Sequence, residues 1–280
     1  MNPIISASDL LLLRSQKELV LIDARSSPTA KQNYENNHLE GARWVDLEQD
    51  LSEKTDNAAQ GGRHPLPPVI KFAQFLGKLG ITPQSQVIVY DDKNGTNAAA
   101  RFWWMLRAVG HQKVQVLDGG FQAAMDARFP TNSGIETPNP TVAYPTDVWH
   151  LPMADMEEVA QAANASDAMV IDVRDADRYA GKTEPIDLIA GHIPGAINIP
   201  FTENLDTKGF YLSPAELKTK YEAAIGDFDA EKVIVHCGSG VTACHTLLAM
   251  AQSGMEIPKL YVGSWSEWSR NDRPMAGESG

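Results

Sequence analysis

Short apolar runs and longer amphipathic stretches alternate along the chain. Apolar runs rich in β-branched residues and bounded by turn signals predict buried strands. The predicted strands cover residues 18–25, 86–90, 113–117, 168–174, 232–236 and 259–262. Helices are predicted at residues 9–15, with Ser8 as N-cap, and at 69–79, 97–109, 214–224 and 241–251. This alternation is typical of an α/β fold, in which helices cover both faces of a parallel sheet.

The order of motifs occurs twice, which indicates an internal repeat. Four stretches of the first half have counterparts in the second: 23–25 in 172–174, 38–42 in 192–196, 87–91 in 233–237, and 117–121 in 261–265. We therefore predict two domains of the same fold, at residues 1–128 and 153–280. Residues 129–152, which are rich in Pro, Thr and Asn, are predicted to link them.

The candidate reactive group is Cys237, which follows a predicted buried strand and precedes a predicted helix. Gly238 and Gly240 flank Ser239, and glycines in such a loop let successive backbone N–H groups converge on an anion. The helix start adds N–H groups without intrahelical acceptors and the positive end of the helix dipole. This environment favours the thiolate, the reactive form of cysteine. The loop therefore predicts a nucleophilic cysteine in an anion cradle; a buried core thiol is the alternative interpretation.

Asp91 stands in the first half at the position of Cys237 in the second. A carboxylate cannot act as a soft sulfur nucleophile, so the first domain is predicted to be catalytically inactive. In parallel sheets, ligands bind beyond the carboxyl ends of the strands, where Cys237 is expected to lie. One active site therefore serves the chain in this interpretation.

Composition narrows the range of partners. The 280 residues include 36 Asp or Glu and 24 Lys or Arg, a net charge of −12, so nucleic acid and anionic membranes are not expected to bind. The two cysteines, Cys237 and Cys244, form neither a disulfide framework nor, without clustered histidines, a zinc site, and no metal or cofactor is expected. Residues 1–10 lack the basic region of a signal peptide, and long apolar runs are absent from the sequence, so we expect a cytoplasmic protein.

The repeat, the turn at 192–196, the loop Cys237-Gly-Ser-Gly-Val-Thr-Ala243 and the motif Gly263-Ser-Trp-Ser-Glu-Trp268 together resemble the tandem rhodanese-like sulfurtransferases. The resemblance covers nearly the whole chain. The loop is similar to that of 3-mercaptopyruvate sulfurtransferases, whereas thiosulfate sulfurtransferases usually have two cationic residues after the cysteine. The resemblance implies that Cys237 takes the outer sulfur of a small-molecule donor, 3-mercaptopyruvate or thiosulfate, as a persulfide. The sulfur then passes to cyanide, a small thiol or a reduced thioredoxin-like protein.

The resemblance also implies roles for other residues. Arg178 matches the arginine that holds the donor's anionic group, and Ile186 lies near the usual place of a second arginine in the mercaptopyruvate enzymes. Ser239 matches a serine that relays a proton with a histidine and a carboxylate, here His64 and Glu48; an ordinary loop histidine is the alternative for His64. The remaining loop residues, whose N–H groups are expected to stabilise charge on sulfur, are Gly238, Gly240, Val241 and Thr242.

Two other classes of function stay open. Cysteine phosphatases and arsenate reductases also place a cysteine loop before a helix, but they need an arginine where this chain has Ala243. A persulfide carrier or docking protein without turnover would use the same loop as the enzyme. Steady-state turnover with small donors and acceptors distinguishes an enzyme from a carrier, which is only labelled stoichiometrically.

Overall fold

The computed structural model describes residues 1–277 and contains two compact units. Unit 1 comprises Met1–Glu53, Pro67–His150 and Thr207–Tyr211. Unit 2 comprises Lys54–Leu66, Leu151–Asp206 and the described residues from Leu212 onward. Each unit thus includes a short segment from elsewhere in the sequence. We call Lys54–Leu66, which packs in unit 2, the inserted segment.

Unit 1 is built on a five-stranded sheet whose hydrogen-bonded neighbours are all parallel. Its strands are β1 (Ile4–Ile5), β2 (Leu19–Asp23), β4 (Arg43–Trp44), β5 (Gln86–Tyr90) and β6 (Val114–Leu117), in the order β1-β6-β5-β2-β4. A separate antiparallel pair joins β3 (His38–Leu39) to β7 (Thr131–Asn132). The helices are α1 (Ala7–Leu13), α2 (Ala30–Asn36), α3 (Val69–Lys78), α4 (Ala98–Ala108) and α5 (Gly120–Asp126).

Unit 2 repeats this architecture. Its strands are β8 (Met153–Ala154), β9 (Met169–Asp172), β10 (Ile197–Asn198), β11 (Val233–His236) and β12 (Lys259–Tyr261), in the parallel order β10-β9-β11-β12-β8. The helices are α6 (Met156–Ala162), α7 (Ala176–Tyr179), α8 (Pro214–Ile225), α9 (Thr242–Gln252) and α10 (Ser264–Trp268). Read in reverse, the second strand order matches the first position for position: β8, β12, β11, β9 and β10 correspond to β1, β6, β5, β2 and β4. The predicted α/β fold, built twice from parallel sheets, is confirmed.

The repeated Asp-x-Arg triplet forms the same buried ion pair in each unit. In unit 1, Arg25 lies 2.7 Å from Asp23 and its guanidinium stands 4.4 Å from the centre of the Phe121 ring. In unit 2, Arg174 lies 2.6 Å from Asp172, and its guanidinium lies over the ring of Trp265, which corresponds to the phenylalanine of unit 1. A charge buried this deeply must be paired and hydrogen-bonded, and the aromatic face adds a cation–π contact. The triplet is therefore part of the framework that supports each sheet.

Two local details differ from the sequence-based expectations. The N-cap of α1 is Ser6, not Ser8, because the Ser6 hydroxyl accepts the Asp9 N–H at 3.1 Å. Residues 129–150, predicted to form a linker, pack in unit 1 and contribute β7 to the pair with β3. The His150 N–H also donates to the Ala108 carbonyl at the end of α4. A proline-rich composition does not prevent such local pairing.

Candidate active site

Cys237 lies where β11 ends and only five residues before α9 begins. All four residues of β11 are buried, and Cys237 itself is 1 % exposed. Its N–H donates to the Ser264 hydroxyl at 3.2 Å, and its carbonyl accepts the Trp265 N–H at 3.0 Å. The first turn of α10 therefore fixes the backbone of the cysteine. The first N–H groups of an α-helix lack intrahelical acceptors, so the start of α9 is suited to stabilise negative charge nearby.

The loop residues after Cys237 have distinct structural requirements. Gly240 has φ +71°, and a Cβ there would lie 2.6 Å from the Val262 carbonyl oxygen, so both conformation and space require glycine. Val241 precedes α9, and Thr242 is its first residue. Cys244, on the first turns of α9, is fully buried and its Sγ contacts the Gly240 carbonyl at 3.3 Å. Cys244 is therefore a packed residue of this helix.

His64 and Ser239 meet in unit 2. His64 Nδ1 lies 2.7 Å from Ser239 Oγ, and both residues are buried. The spacing of the two residues in the sequence does not indicate this contact, which only the family resemblance implies; the inserted segment supplies His64. Glu48, the predicted third member of the relay, belongs to unit 1, and its part in a relay stays a prediction.

The inserted segment is anchored to the start of α10. The Gly61 N–H donates to Glu267 Oε1 at 2.6 Å, and the Arg63 N–H donates to Ser266 Oγ at 3.0 Å. Between them, Gly62 has φ +79°, and a Cβ would collide with the carbonyl oxygen of the residue that precedes α10. Glycine is therefore required for the close approach that positions Arg63 and His64.

Five charged side chains form a cluster beside the cysteine loop. Asp187 is at its centre: Oδ1 accepts from Arg63 Nε at 3.0 Å and from Arg270 Nη1 at 3.1 Å, and Oδ2 lies 3.5 Å from Arg178 Nη2. Arg178 also donates to Glu184 Oε1 at 2.7 Å. We call Arg63, Arg178, Glu184, Asp187 and Arg270 the arginine cluster. The Asp187 side chain is completely buried, whereas the three arginine side chains are 13–26 % exposed.

The arginine cluster adjoins the residue next to the cysteine. A Cβ placed on Gly238 would lie 3.2 Å from Arg63 Nη2, 3.5 Å from Arg178 Nη2 and 3.6 Å from Asp187 Oδ2. Arg178, which the family motif predicts, thus lies near the loop. Ile186, near the expected place of a second arginine, is 54 % exposed.

The sequence patterns do not indicate four members of the arginine cluster: Arg63, Glu184, Asp187 and Arg270. A signal existed for Arg63, because it lies between Gly62 and the candidate His64. Asp187 and Arg270 are in unremarkable surroundings in the sequence. Their convergence depends on the tertiary fold.

A buried pair lies beneath the loop. His236 Nε2 is 3.8 Å from Asp172 Oδ2, and both side chains are fully buried. Burial lowers the pKa of His236 below its usual range, so the imidazole is neutral at pH 7. Burial alone would raise the pKa of Asp172, but the charge and hydrogen bonds of Arg174 hold that pKa below its usual value. Asp172 is therefore a carboxylate paired with Arg174.

In unit 1, Asp91 fills the corresponding loop with its own side chain. Oδ1 accepts the N–H groups of Lys93 at 2.9 Å and Gly95 at 2.8 Å, and Oδ2 accepts those of Asn97 at 3.1 Å and Ala99 at 3.2 Å. Four backbone donors thus converge on one buried carboxylate. The loop between β5 and α4 is therefore an anion cradle in unit 1.

Membrane-spanning helices and metal-binding clusters are both absent from the described residues, 1–277. No helix in this part of the chain combines the length and the apolar character that crossing a bilayer demands. Within the same residues, no group of three or more His, Cys, Asp or Glu side chains is arranged to hold a metal ion. Cytoplasmic location stays a prediction.

Two matching sheets and one cysteine loop define a duplicated α/β protein with a single thiol site. The family model described as "Rhodanese-like domain" matches residues 6–127 and 155–271. The chain therefore belongs to the rhodanese-like family and contains the family domain twice.

Known relatives agree with this assignment. The chain is 35 % identical to the 3-mercaptopyruvate sulfurtransferase of Mus musculus over 269 residues, which cover 93 % of this chain and 88 % of that protein. It is 34 % identical to the thiosulfate sulfurtransferase of Mus musculus over 249 residues, 88 % of this chain and 82 % of that protein. The solved 3-mercaptopyruvate sulfurtransferase from Leishmania major is 30 % identical, with a TM-score of 0.83 over 95 % of this chain and 74 % of that one. The predicted enzyme class, a sulfurtransferase, is confirmed, whereas nearly equal identities to relatives named for different donors leave the donor open.

Proposed function

We propose that this enzyme moves a sulfur atom from 3-mercaptopyruvate or thiosulfate, as the sulfane sulfur of a persulfide on Cys237, to an acceptor. The acceptor is cyanide, a small thiol or the reduced dithiol of a thioredoxin-like protein. The observation that carries the proposal is the position of Cys237 between β11 and α9, with Arg63 and Arg178 beside Gly238. A nucleophile and cations for an anionic donor are thus adjacent.

With 3-mercaptopyruvate, the Cys237 thiolate attacks the sulfur atom of the donor. A sulfur–sulfur bond forms, and the carbon–sulfur bond breaks with its electron pair left on carbon. The leaving group is the enolate of pyruvate, which takes up one proton to become pyruvate. Ser239, hydrogen-bonded to His64 at 2.7 Å, is suited to deliver that proton.

With thiosulfate, the same thiolate attacks the outer sulfur atom. The sulfur–sulfur bond of the donor breaks, and sulfite leaves with the electron pair. Sulfite is stable as a dianion, so this step requires no proton. Arg63 and Arg178 are suited to bind the sulfonate oxygens of thiosulfate or the carboxylate of mercaptopyruvate.

In the second step, the acceptor attacks the terminal sulfur of the persulfide. Cyanide becomes thiocyanate, or a thiolate becomes a new persulfide, and the Cys237 thiolate is regenerated. The negative persulfide needs stabilisation between the two steps. The loop N–H groups are suited to provide it, and the carboxylate of Asp91 in the corresponding loop of unit 1 is a precedent for such binding.

The proposal is tested by initial rates with each donor, combined with cyanide and with a reduced dithiol. We expect turnover in the wild type, none in Cys237→Ser, and full turnover in the matched variant Cys244→Ser. Mass spectrometry after donor addition should find one added sulfur atom on the peptide that contains residue 237. Activity in Cys237→Ser would overturn the assignment, and labelling without turnover would identify a persulfide carrier.

A further inference from the structure

Asp187 is a buried carboxylate that the reaction scheme does not use. It lies beside the cysteine loop, 3.6 Å from the position that a Cβ on Gly238 would take. Burying a carboxylate is unfavourable unless it is paired and hydrogen-bonded, and Asp187 meets this condition with Arg63 and Arg270. These two arginines and Arg178 are cations that an anionic donor needs. Asp187 therefore pairs with guanidinium groups that would otherwise be available to bind the donor.

We propose that Asp187 determines donor specificity by setting the net positive charge that an incoming anion meets at the Cys237 loop. The kinetic part of this inference rests on the proposed function. The electrostatic part does not, because the charge at the loop can be measured without sulfur transfer.

The charges of the arginine cluster leave a small positive excess. Three guanidinium groups face two carboxylates, those of Glu184 and Asp187. Arg174 also lies 3.3 Å from Glu184, but it is matched by its own partner, Asp172, at 2.6 Å. The cluster as a whole therefore has about one unit of positive charge.

This excess matches the charge of a donor with a single negative charge and leaves half of a dianion's charge uncompensated. The arginine side chains are 26 %, 13 % and 17 % exposed for Arg63, Arg178 and Arg270, so an anion from solvent can reach them while Asp187 stays buried. 3-Mercaptopyruvate has one carboxylate, whereas thiosulfate has two negative charges. Neutralising Asp187 raises the cluster charge by one unit, and this benefits a dianion more than a monoanion.

The kinetic test is Asp187→Asn, which keeps the shape of the side chain and removes its charge. The ratio of kcat/KM for thiosulfate to kcat/KM for 3-mercaptopyruvate should rise by roughly 5- to 20-fold. Asp177→Asn is the matched control, because it removes the same charge from an exposed residue nearby in the sequence. Its ratio should stay within about twofold of the wild type, since exposed charges are screened by salt.

The electrostatic test compares alkylation of Cys237 by iodoacetate, an anion, and by iodoacetamide, its neutral analogue. Both are run in a Cys244→Ser background so that one thiol reacts. In Asp187→Asn the iodoacetate-to-iodoacetamide rate ratio should rise about three- to tenfold at low ionic strength, and salt should reduce the difference.

A second variant guards against misfolding. Asp187→Asn leaves an arginine without its partner, so thermal unfolding of each variant is measured alongside. The double variant Asp187→Asn with Arg270→Gln restores the net charge of the cluster. Both ratios should then return toward the wild-type values.

The outcomes separate the two proposals. Unchanged ratios in a folded Asp187→Asn overturn the role of Asp187, whether or not the wild type turns over. A raised alkylation ratio in a protein that turns over neither donor supports the electrostatic role and overturns the proposed function. A raised alkylation ratio together with an unchanged donor ratio overturns Asp187 as a specificity determinant.

Discussion

At the scale of single residues, the contact between His64 and Ser239 gives the two donors different requirements. The enolate that leaves 3-mercaptopyruvate needs a proton, whereas the sulfite that leaves thiosulfate does not. A histidine within hydrogen-bond reach of a hydroxyl can supply protons through it. The proposed relay should therefore matter for one donor only.

Replacing His64 by Gln tests this asymmetry. Gln can still hydrogen-bond Ser239 but cannot transfer a proton, so kcat/KM for 3-mercaptopyruvate should fall about 100-fold, in the range of general acid catalysis. The value for thiosulfate should change only a few-fold. Ser239→Ala is the matched variant and should show the same selectivity. Equal losses with both donors would instead indicate that the pair only maintains the loop.

Individual residues also show which parts of the candidate site the sequence predicts. Cys237 and Arg178 are visible as candidates because motifs and spacing mark them. Asp187 is not visible, because its importance depends on burial among arginines that come from residues 63, 178 and 270. Exposed and buried aspartates look the same in a sequence without tertiary context.

At the scale of elements, long periodic segments are the predictable ones. β5 was expected at 86–90 and has those limits, and α9 differs by one residue at each end. These elements have strong apolar patterns, which local physics determines. β3, β7 and β10 are three of the strands that have only two residues. They lack such patterns and form because a partner strand is available. The docking of the inserted segment is likewise a long-range event that no local pattern indicates.

Gly62→Ala tests the docking of the inserted segment. The added methyl group collides with the backbone before α10 and strains a residue at φ +79°, so Arg63 and His64 should be displaced. A misplacement of about 1 Å can lower kcat/KM on the order of 100-fold with both donors. Rates and denaturant unfolding are measured on each variant.

Gly41→Ala is the control for backbone strain. Gly41 has φ +80° but nothing lies within 4 Å of its would-be Cβ, so only the conformational cost of about 1 kcal/mol applies. Its activity should match the wild type. If Gly62→Ala behaves like Gly41→Ala, the close approach does not position the site.

At the scale of the whole molecule, the two units share a fold, and neither unit is formed by one continuous stretch of the sequence. The inserted segment carries Arg63 and His64 to unit 2, and Thr207–Tyr211 packs in unit 1. The Tyr211 hydroxyl, for example, donates to the Gly95 carbonyl at 3.2 Å. The site therefore depends on residues from both halves of the sequence, although one half contains the cysteine.

Each unit also contains a buried histidine that makes overall stability sensitive to acid. Burial lowers the pKa of His111 in unit 1 and of His236 in unit 2 below the usual value of 6.5. Below pH 6.5 the unfolded chain takes up these protons before the folded one does. The stability is therefore fully present above pH 6.5 and is lost as the pH falls toward the lowered values.

Denaturant unfolding at pH 7.5 and pH 5.5 measures this loss. We expect the free energy of unfolding of the wild type to fall over this interval, because the unfolded chain takes up more protons than the folded one. His236→Asn should lose less between the two pH values, whatever its stability at pH 7.5. An unchanged pH dependence in this variant would show that His236 does not contribute to the loss.

The Asp91 carboxylate in the loop of unit 1 suggests how one copy of a duplicated domain can be retained. A domain copy that loses its nucleophile keeps the converging backbone N–H groups of the anion cradle. Without an acceptor, these buried donors would be unsatisfied and would destabilise the fold. The Asp91 carboxylate fills the anion cradle and accepts four hydrogen bonds there. An aspartate at the position of the nucleophile can thus stabilise the loop that it occupies. We therefore predict that unit 1 has kept a structural role without a catalytic one.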